Sequence, residues 1–99
     1  VSGNVWGFGI NTVGNLGLEL TTPYLIPTKI PEFTNIRTVS CGSRHTATID
    51  NNGNLWTFGL NNYGQLGLGD VVNRHKPVQV STLSNISDVE CGAYHTICL

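Results

Sequence analysis

The residues best suited to chemistry in this chain are a thiol and an imidazole at a fixed spacing, and they occur twice. Cys41-Gly42-Ser43-Arg44-His45-Thr46 returns as Cys91-Gly92-Ala93-Tyr94-His95-Thr96. Thiolate and imidazole suit zinc, and two such pairs would complete a tetrahedral set. The spacing argues against it: structural zinc sites take closely spaced ligand pairs on tight turns, whereas these pairs stand at matched positions of separate units. A Cys–His nucleophile would need a third group to orient the base, and no acidic residue recurs at a fixed offset from either box. Asp70 and Glu90 stand alone and do not form the carboxylate pair that acid–base catalysis needs. No catalytic residue, metal or cofactor is therefore expected, and the chain reads as a non-enzyme. Cys41 and Cys91 are expected to pack as small buried hydrophobes, with His45 and His95 hydrogen-bonding neighbouring backbone.

What positions the boxes is a repeat. Gly3-Asn4-Val5-Trp6 returns as Gly53-Asn54-Leu55-Trp56, Phe8-Gly9 as Phe58-Gly59, Gly14 and Leu16-Gly17-Leu18 as Gly64 and Leu66-Gly67-Leu68, and Pro27 as Pro77. The offset is the same for every pair, so the copies, 1–50 and 51–99, differ by no insertion or deletion. A period of roughly 40–50 residues is that of propeller blades and other arrays, whose units bury apolar faces only against their neighbours. Gly14, Gly17, Gly64 and Gly67 lie in turn-rich stretches and are expected to take positive φ or to let backbones approach. A phosphate-cradling loop would need a preceding strand, a following helix and a Lys-Ser/Thr pair, which these stretches lack.

Each repeat reads as four strands. Asn4–Phe8 and Asn54–Phe58 are apolar runs bounded by Gly, the second preceded by the hairpin signal Asp50-Asn51-Asn52-Gly53. Trp56 and Phe58 face one side while Leu55 and Thr57 face the other, and Val5, Trp6 and Phe8 repeat the arrangement, so both faces need cover. Pro27–Ile30 and Pro77–Val80 read as outer strands with Pro at the first position. Ile36–Cys41 with His45–Ile49, and Ile86–Cys91 with His95–Leu99, supply the rest. No helical period survives more than a turn.

Composition excludes several partners. Charged residues make up 11% of the chain, about half the usual share, and the net charge is −1. Lys29, Arg37, Arg44, Arg74 and Lys76 are scattered and form neither a phosphate-tracking stripe nor a membrane patch. No apolar run approaches the roughly 18 residues of a spanning helix. The triplet Asn85-Ile86-Ser87 fits a glycosylation acceptor, a match that arises readily by chance. Three cysteines, two at matched positions and Cys98 as an odd third, point to free thiols in a reducing, intracellular setting, cytoplasmic or nuclear. The chain has no Met and opens on Val1, from which a piece of a longer chain is expected.

The run Trp56-Thr57-Phe58-Gly59-Leu60-Asn61-Asn62-Tyr63-Gly64-Gln65-Leu66-Gly67-Leu68-Gly69-Asp70, together with the Cys-Gly-x-x-His-Thr boxes, resembles the repeat of the regulator of chromosome condensation family over the whole chain. The resemblance implies an all-β fold of β-propeller blades, four-stranded antiparallel sheets, in a ring that usually has about seven. It also implies an offset between repeat and blade: one complete blade near 35–80, flanked by half-blades. The motif positions it marks as structural are Trp6, Gly9, Gly14, Gly17, Cys41, Gly42 and His45, with Trp56, Gly59, Gly64, Gly67, Cys91, Gly92 and His95. The copies diverge where Glu19-Leu20 replaces Gly69-Asp70 and where Thr21–Ile26 differs wholly from Val71–Lys76. That variable loop is the expected place of partner contact, with Arg74, His75 and Lys76 as candidates.

The use the resemblance implies first is a protein-interaction scaffold, as in the propeller parts of large ubiquitin ligases and trafficking proteins. The second is guanine-nucleotide exchange on a Ran-like small GTPase, although equal repeat lengths leave no room for a wedge insertion. A plant-type ultraviolet-B photoreceptor, which has Trp after the Gly of the box, is disfavoured by Ser43 and Ala93. The expected partners are a protein, including a small GTPase, and other blades of the same chain or further copies; neither nucleic acid nor membrane is expected.

Overall fold

The computed structural model describes residues 3–99. They form eight strands, all antiparallel, in three sheets. β1 (Trp6–Gly9) pairs with β2 (Tyr24–Lys29). β3 (Ile36–Cys41), β4 (His45–Asp50), β5 (Leu55–Gly59) and β6 (Arg74–Gln79) make a four-stranded sheet in chain order. β7 (Val89–Cys91) pairs with β8 (Thr96–Cys98). The fold is thus all-β and built of propeller blades: one four-stranded sheet, a two-stranded sheet matching its outer half before it, and one matching its inner half after it.

Both faces of the central sheet are covered, and the alternation of β5 shows how. Leu55 joins Ala47, Ile49, Val80, Ile86 and Val89 in a cluster on the side of β7 and β8. Trp56 and Phe58 point the other way, toward Ile30, Phe33 and Ile36 and toward Val5 and Leu18 of the first unit. β4, inside the sheet, is buried along its whole length. The corresponding residues of the first unit fare differently: Trp6 is 56% and Phe8 62% exposed, because among the described residues no sheet lies against the far side of β1. Cover for these two rings was expected from sequence, and it is missing because cover comes from a neighbouring unit.

The outer strands begin earlier than the prolines suggested. β2 starts at Tyr24 and β6 at Arg74, so Pro27 and Pro77 lie within strands. Pro tolerates this because β6 is an edge strand with a break in register: Thr57 pairs with Val78 and Gly59 with Arg74, and no ladder pair falls on Pro77. Gly59, at φ 108°, makes the bulge; a Cβ there would stand 2.6 Å from the Arg44 carbonyl oxygen. Gly9 repeats this conformation in β1 at φ 106°.

The hairpin joining β4 to β5 turns on one carboxylate. Asp50 is 4% exposed. Its Oδ1 accepts the backbone N–H groups of Asn52 and Asn54, each at 2.9 Å. Its Oδ2 accepts the Asn54 amide and the Trp56 indole N–H, both at 3.1 Å. The Asp-x-x-Gly turn is thereby tied to the ring that packs edge-on against Phe33, 5.9 Å between centroids.

Candidate functional site

Each Cys-Gly-x-x-His-Thr box forms the tight turn between the two inner strands of its blade. Gly42 N–H donates to the His45 carbonyl and Gly92 N–H to the His95 carbonyl, both at 2.8 Å. A side chain at Gly42 would run into the His45 imidazole and the Gly92 carbonyl, so the box needs Gly to let the ring fold back over its own turn.

The imidazole serves the seam between blades. His45 Nε2 lies 2.9 Å from Thr96 Oγ1, which in turn lies 2.7 Å from the Gln65 carbonyl. A carbonyl can only accept, so the Thr96 hydroxyl donates its single proton to Gln65 and accepts from His45 Nε2–H. This assigns the neutral tautomer with a bare Nδ1, and Nδ1 is buried with no hydrogen-bond partner. Burial pushes the His45 pKa below the ordinary 6.5, which agrees with a neutral ring. The seam repeats: Thr46 Oγ1 donates to the Asn15 carbonyl at 2.8 Å, the position matching Gln65. The ring thus reaches across the seam to a hydroxyl of the next unit, and the neighbouring backbone expected from sequence is also there: a hydrogen bond with the His95 backbone works against the lowering of its pKa.

The thiols do not build a site. Cys41 is exposed and Cys91 half-buried, and all three cysteines are free. The exposure of Cys41 corrects the buried thiol read from sequence; it ends β3 beside an open cavity that it shares with Val5, Trp6 and Gly7 of the first unit. Cys91 donates from its backbone N–H to Ser40 Oγ at 2.9 Å and from its thiol to the Ser40 carbonyl at 3.4 Å. Burial raises its pKa, so it rests as the thiol. Among the described residues, no group of three or more His, Cys, Asp or Glu side chains could hold a metal.

The outer loops are held by a pair of buried asparagines that sequence reasoning missed. Asn11 and Asn61 are each 0% exposed. Asn61 Oδ1 accepts the Leu66 N–H at 3.0 Å, while its amide donates to the Asp70 carbonyl, Asp70 Oδ1 and the Val72 carbonyl. Asn11 does the same for Leu16, Leu20 and Thr22. Their signal was identity at matched positions in both copies. Gly14, Gly17, Gly64 and Gly67 all take positive φ, between 70° and 75°, and complete the same turns. Arg37, also missed, donates to the Ile86 and Ser87 carbonyls of the next unit, and Ser87 at the matched position gave no hint of that role.

On this frame sit the candidate contact residues. Arg74, His75 and Lys76 belong to β6 and not to a loop, because the strand runs past Pro77 on a free edge. Arg74 bonds Asp70 Oδ2 at 2.8 Å, and this hydrogen bond holds the Asp70 carboxyl below its usual range. His75 packs against Gly14 of the first unit, and Lys76 stands 3.7 Å from Glu19. The loop before them exposes Val71 at 64% and Val72 at 60%. Glu19 itself takes φ 77°, where Gly69 of the second copy takes 80°. Left-handed backbone costs an L-residue roughly 1–2 kcal/mol. Replacing it with Gly costs about 0.5–1 kcal/mol through the unfolded chain, and the exposed pair with Lys76 contributes little. Glu19→Gly should therefore raise stability slightly, by under about 1 kcal/mol, read as a small upward shift of the urea midpoint; a clear loss would show that the ion pair matters.

Tandem antiparallel sheets, stacked face to face and tied at the seam by repeated hydroxyl bonds, define a β-propeller repeat protein. The chain belongs to the regulator of chromosome condensation (RCC1) repeat family, whose model matches residues 2–49 and 52–99, with a second model of the same description over 36–65. Among solved structures it is similar to Prp20p from Saccharomyces cerevisiae, described with its binding properties to Gsp1p and histones, at 19% identity and a TM-score of 0.88 over 97% of this chain. It is also similar to human WBSCR16, at 29% identity and 0.75 over 98%. Yeast RCC1 (Prp20), solved with bound Kap60, matches at 16% and 0.78 over 99%. The chain spans 26% of the length of each of these. No curated protein matches it.

Proposed function

We propose that this chain supplies the blades of a protein-interaction scaffold, with the loop 69–73 and the start of β6 as its contact surface. The observation that carries this reading is the contrast within the loop. Its backbone is braced by the fully buried Asn61, whereas Val71 and Val72 project into solvent. A rigid loop presenting apolar side chains loses little entropy on binding, which favours recognition over catalysis. The divergence of this loop between copies beside an identical brace supports the same division of labour. A capture experiment tests it: partners retained by the wild-type chain should be lost with Val71→Asp/Val72→Asp and kept with Lys29→Ala. Equal retention by both variants would remove the loop from recognition.

Nucleotide exchange on a Ran-like GTPase is the second reading, supported by the likeness to Prp20p and its described binding to Gsp1p. A specific interface usually buries about 1,200–2,000 Å², more than one blade presents on a propeller face. A large excess of this chain should therefore leave the release of fluorescent nucleotide from such a GTPase unchanged. Acceleration that disappears when residues 71–76 are replaced by the 21–26 sequence would put exchange ahead of scaffolding.

A further inference from the structure

The dipeptide Asn-Gly occurs once in this chain, at Asn52-Gly53, in the turn between β4 and β5. An asparagine followed by glycine is the pair most prone to lose its side-chain amide, because no Cβ shields the glycine nitrogen from the neighbouring carboxamide. The first copy carries Ser2-Gly3 at the matching place, so the copies share the glycine and differ in the reactive residue.

The fold itself demands the glycine. Gly53 takes φ 81°, and a Cβ on it would lie 3.1 Å from Asn85 Cα and 3.4 Å from the Ile86 nitrogen. Left-handed backbone under a packed loop disfavours every other residue there. Asn52 is exposed, and among the described residues its carboxamide makes no hydrogen bond. The reactive amide and its internal nucleophile are therefore neighbours in the folded chain.

Hydrogen bonds of the turn keep the two from reacting. Ring closure requires the Gly53 nitrogen to give up its proton and the 52–53 peptide to rotate until that nitrogen faces Asn52 Cγ. The Gly53 N–H donates to the Asp50 carbonyl at 3.1 Å, which holds the proton in place. The Gly53 carbonyl accepts from the Ile86 N–H at 2.9 Å, and the Asn52 N–H donates to Asp50 Oδ1 at 2.9 Å. These two bonds fix the peptide plane from both sides.

We propose that Asn52 is a deamidation site gated by this turn, protected while the bonds to Asp50 and Ile86 hold and converted to aspartate and isoaspartate when the hairpin opens. The Gly53 nitrogen, its proton lost to water, attacks Asn52 Cγ. The new C–N bond closes a five-membered succinimide as the Cγ–Nδ2 bond breaks and ammonia leaves. Water then opens the ring at either carbonyl: attack at Cγ restores the backbone with aspartate at position 52, and attack at the main-chain carbonyl leaves the backbone running through Cγ as isoaspartate. Isoaspartate lengthens the turn by one carbon, so the Asn52 and Asn54 N–H groups no longer both meet Asp50 Oδ1. Either product also sets a second negative charge beside the carboxylate that receives the Trp56 indole N–H. The change is one-way and weakens the cap. It is independent of the scaffold reading, since this turn and the loop 69–73 lie at opposite ends of β5.

The test follows the 99-residue chain by intact mass and peptide mapping at mildly alkaline pH, with isoaspartate counted by protein isoaspartyl methyltransferase labelling. Unfolded in urea, the wild-type chain should lose the Asn52 amide ahead of every other asparagine. Folded, it should lose it more slowly by on the order of ten- to a hundredfold, since two or three hydrogen bonds must open first. Asp50→Ala should approach the unfolded rate, and Asp50→Asn, which keeps one capping oxygen and a cooperative melt, should fall between. Asn52→Ser, the residue of the first copy, should abolish the reaction at this turn in both states, and the deamidated wild-type chain should show a lower urea midpoint. Equal rates in the folded and unfolded chain would overturn the gate. An unfolded chain that keeps Asn52 while other asparagines react would overturn the site, and an Asp50→Asn rate no faster than wild type would take Asp50 out of the gate and overturn the proposal as stated.

Discussion

Phe58→Ala should cost the fold about 3–5 kcal/mol, the usual range for deleting a buried large aromatic ring. Phe58 is 1% exposed and sits at the centre of the cluster with Ile30, Phe33 and Ile36. Removing its ring opens a void between two units whose walls are separate sheets and cannot collapse onto each other without moving β1 and β2. Against a total of roughly 5–15 kcal/mol for a domain, that is a large share. The matched change Phe8→Ala removes a ring already 62% exposed and should shift stability by less than about 0.5 kcal/mol. Urea unfolding of the two variants side by side measures the difference that burial makes. Similar midpoints would mean that the two faces of the central sheet are assigned the wrong way round.

The second large effect falls on Asp50. Asp50→Ala strands two backbone N–H groups, an amide and an indole N–H that the carboxylate now accepts. Each buried unsatisfied donor costs about 1–3 kcal/mol, and some of these will find water at the turn, so a net loss of about 2–4 kcal/mol is expected. Asp50→Asn should lose less, since one oxygen still caps the turn. The same group predicts an acid dependence. Burial alone would raise the Asp50 pKa, but its bonds to Asn54, Trp56 and Asn52 hold it below the ordinary 3.8. A carboxyl with a depressed native pKa adds stability that is complete above its unfolded value and is lost as pH falls through the native one. His45 adds an earlier step. Its native pKa lies below 6.5, so the unfolded chain takes up the proton first and stability begins to fall as pH drops below that value. Stability followed from neutral to strongly acid pH should therefore decline in two stages. Asp50→Asn should shrink the lower stage to the share of Asp70, whose carboxyl is also held low by Arg74, and leave the upper; a profile unchanged by that substitution would show that the Asp50 carboxylate carries no net stabilisation.

The sequence by itself determined the kind of object this is. The turn glycines, the apolar alternation around Trp56 and Phe58, and the hairpin signal at Asp50–Gly53 are local requirements of backbone and strand, so they leave a trace at their own positions, and the repeat shows each trace twice. It could not determine which copy of a residue is covered. Phe8 and Phe58 have the same local sequence, yet one faces solvent and the other is enclosed, because cover is supplied by whatever unit lies against that face. The partner of His45 followed the same logic: the box is local, but the Thr96 hydroxyl that accepts its proton belongs to the next unit. Arg37 left no trace at all, since it binds carbonyls, which every residue has. Tertiary structure alone decided these contacts, for they depend on how one sheet is set against another, and the spacing of residues within a sheet carries no record of that distance.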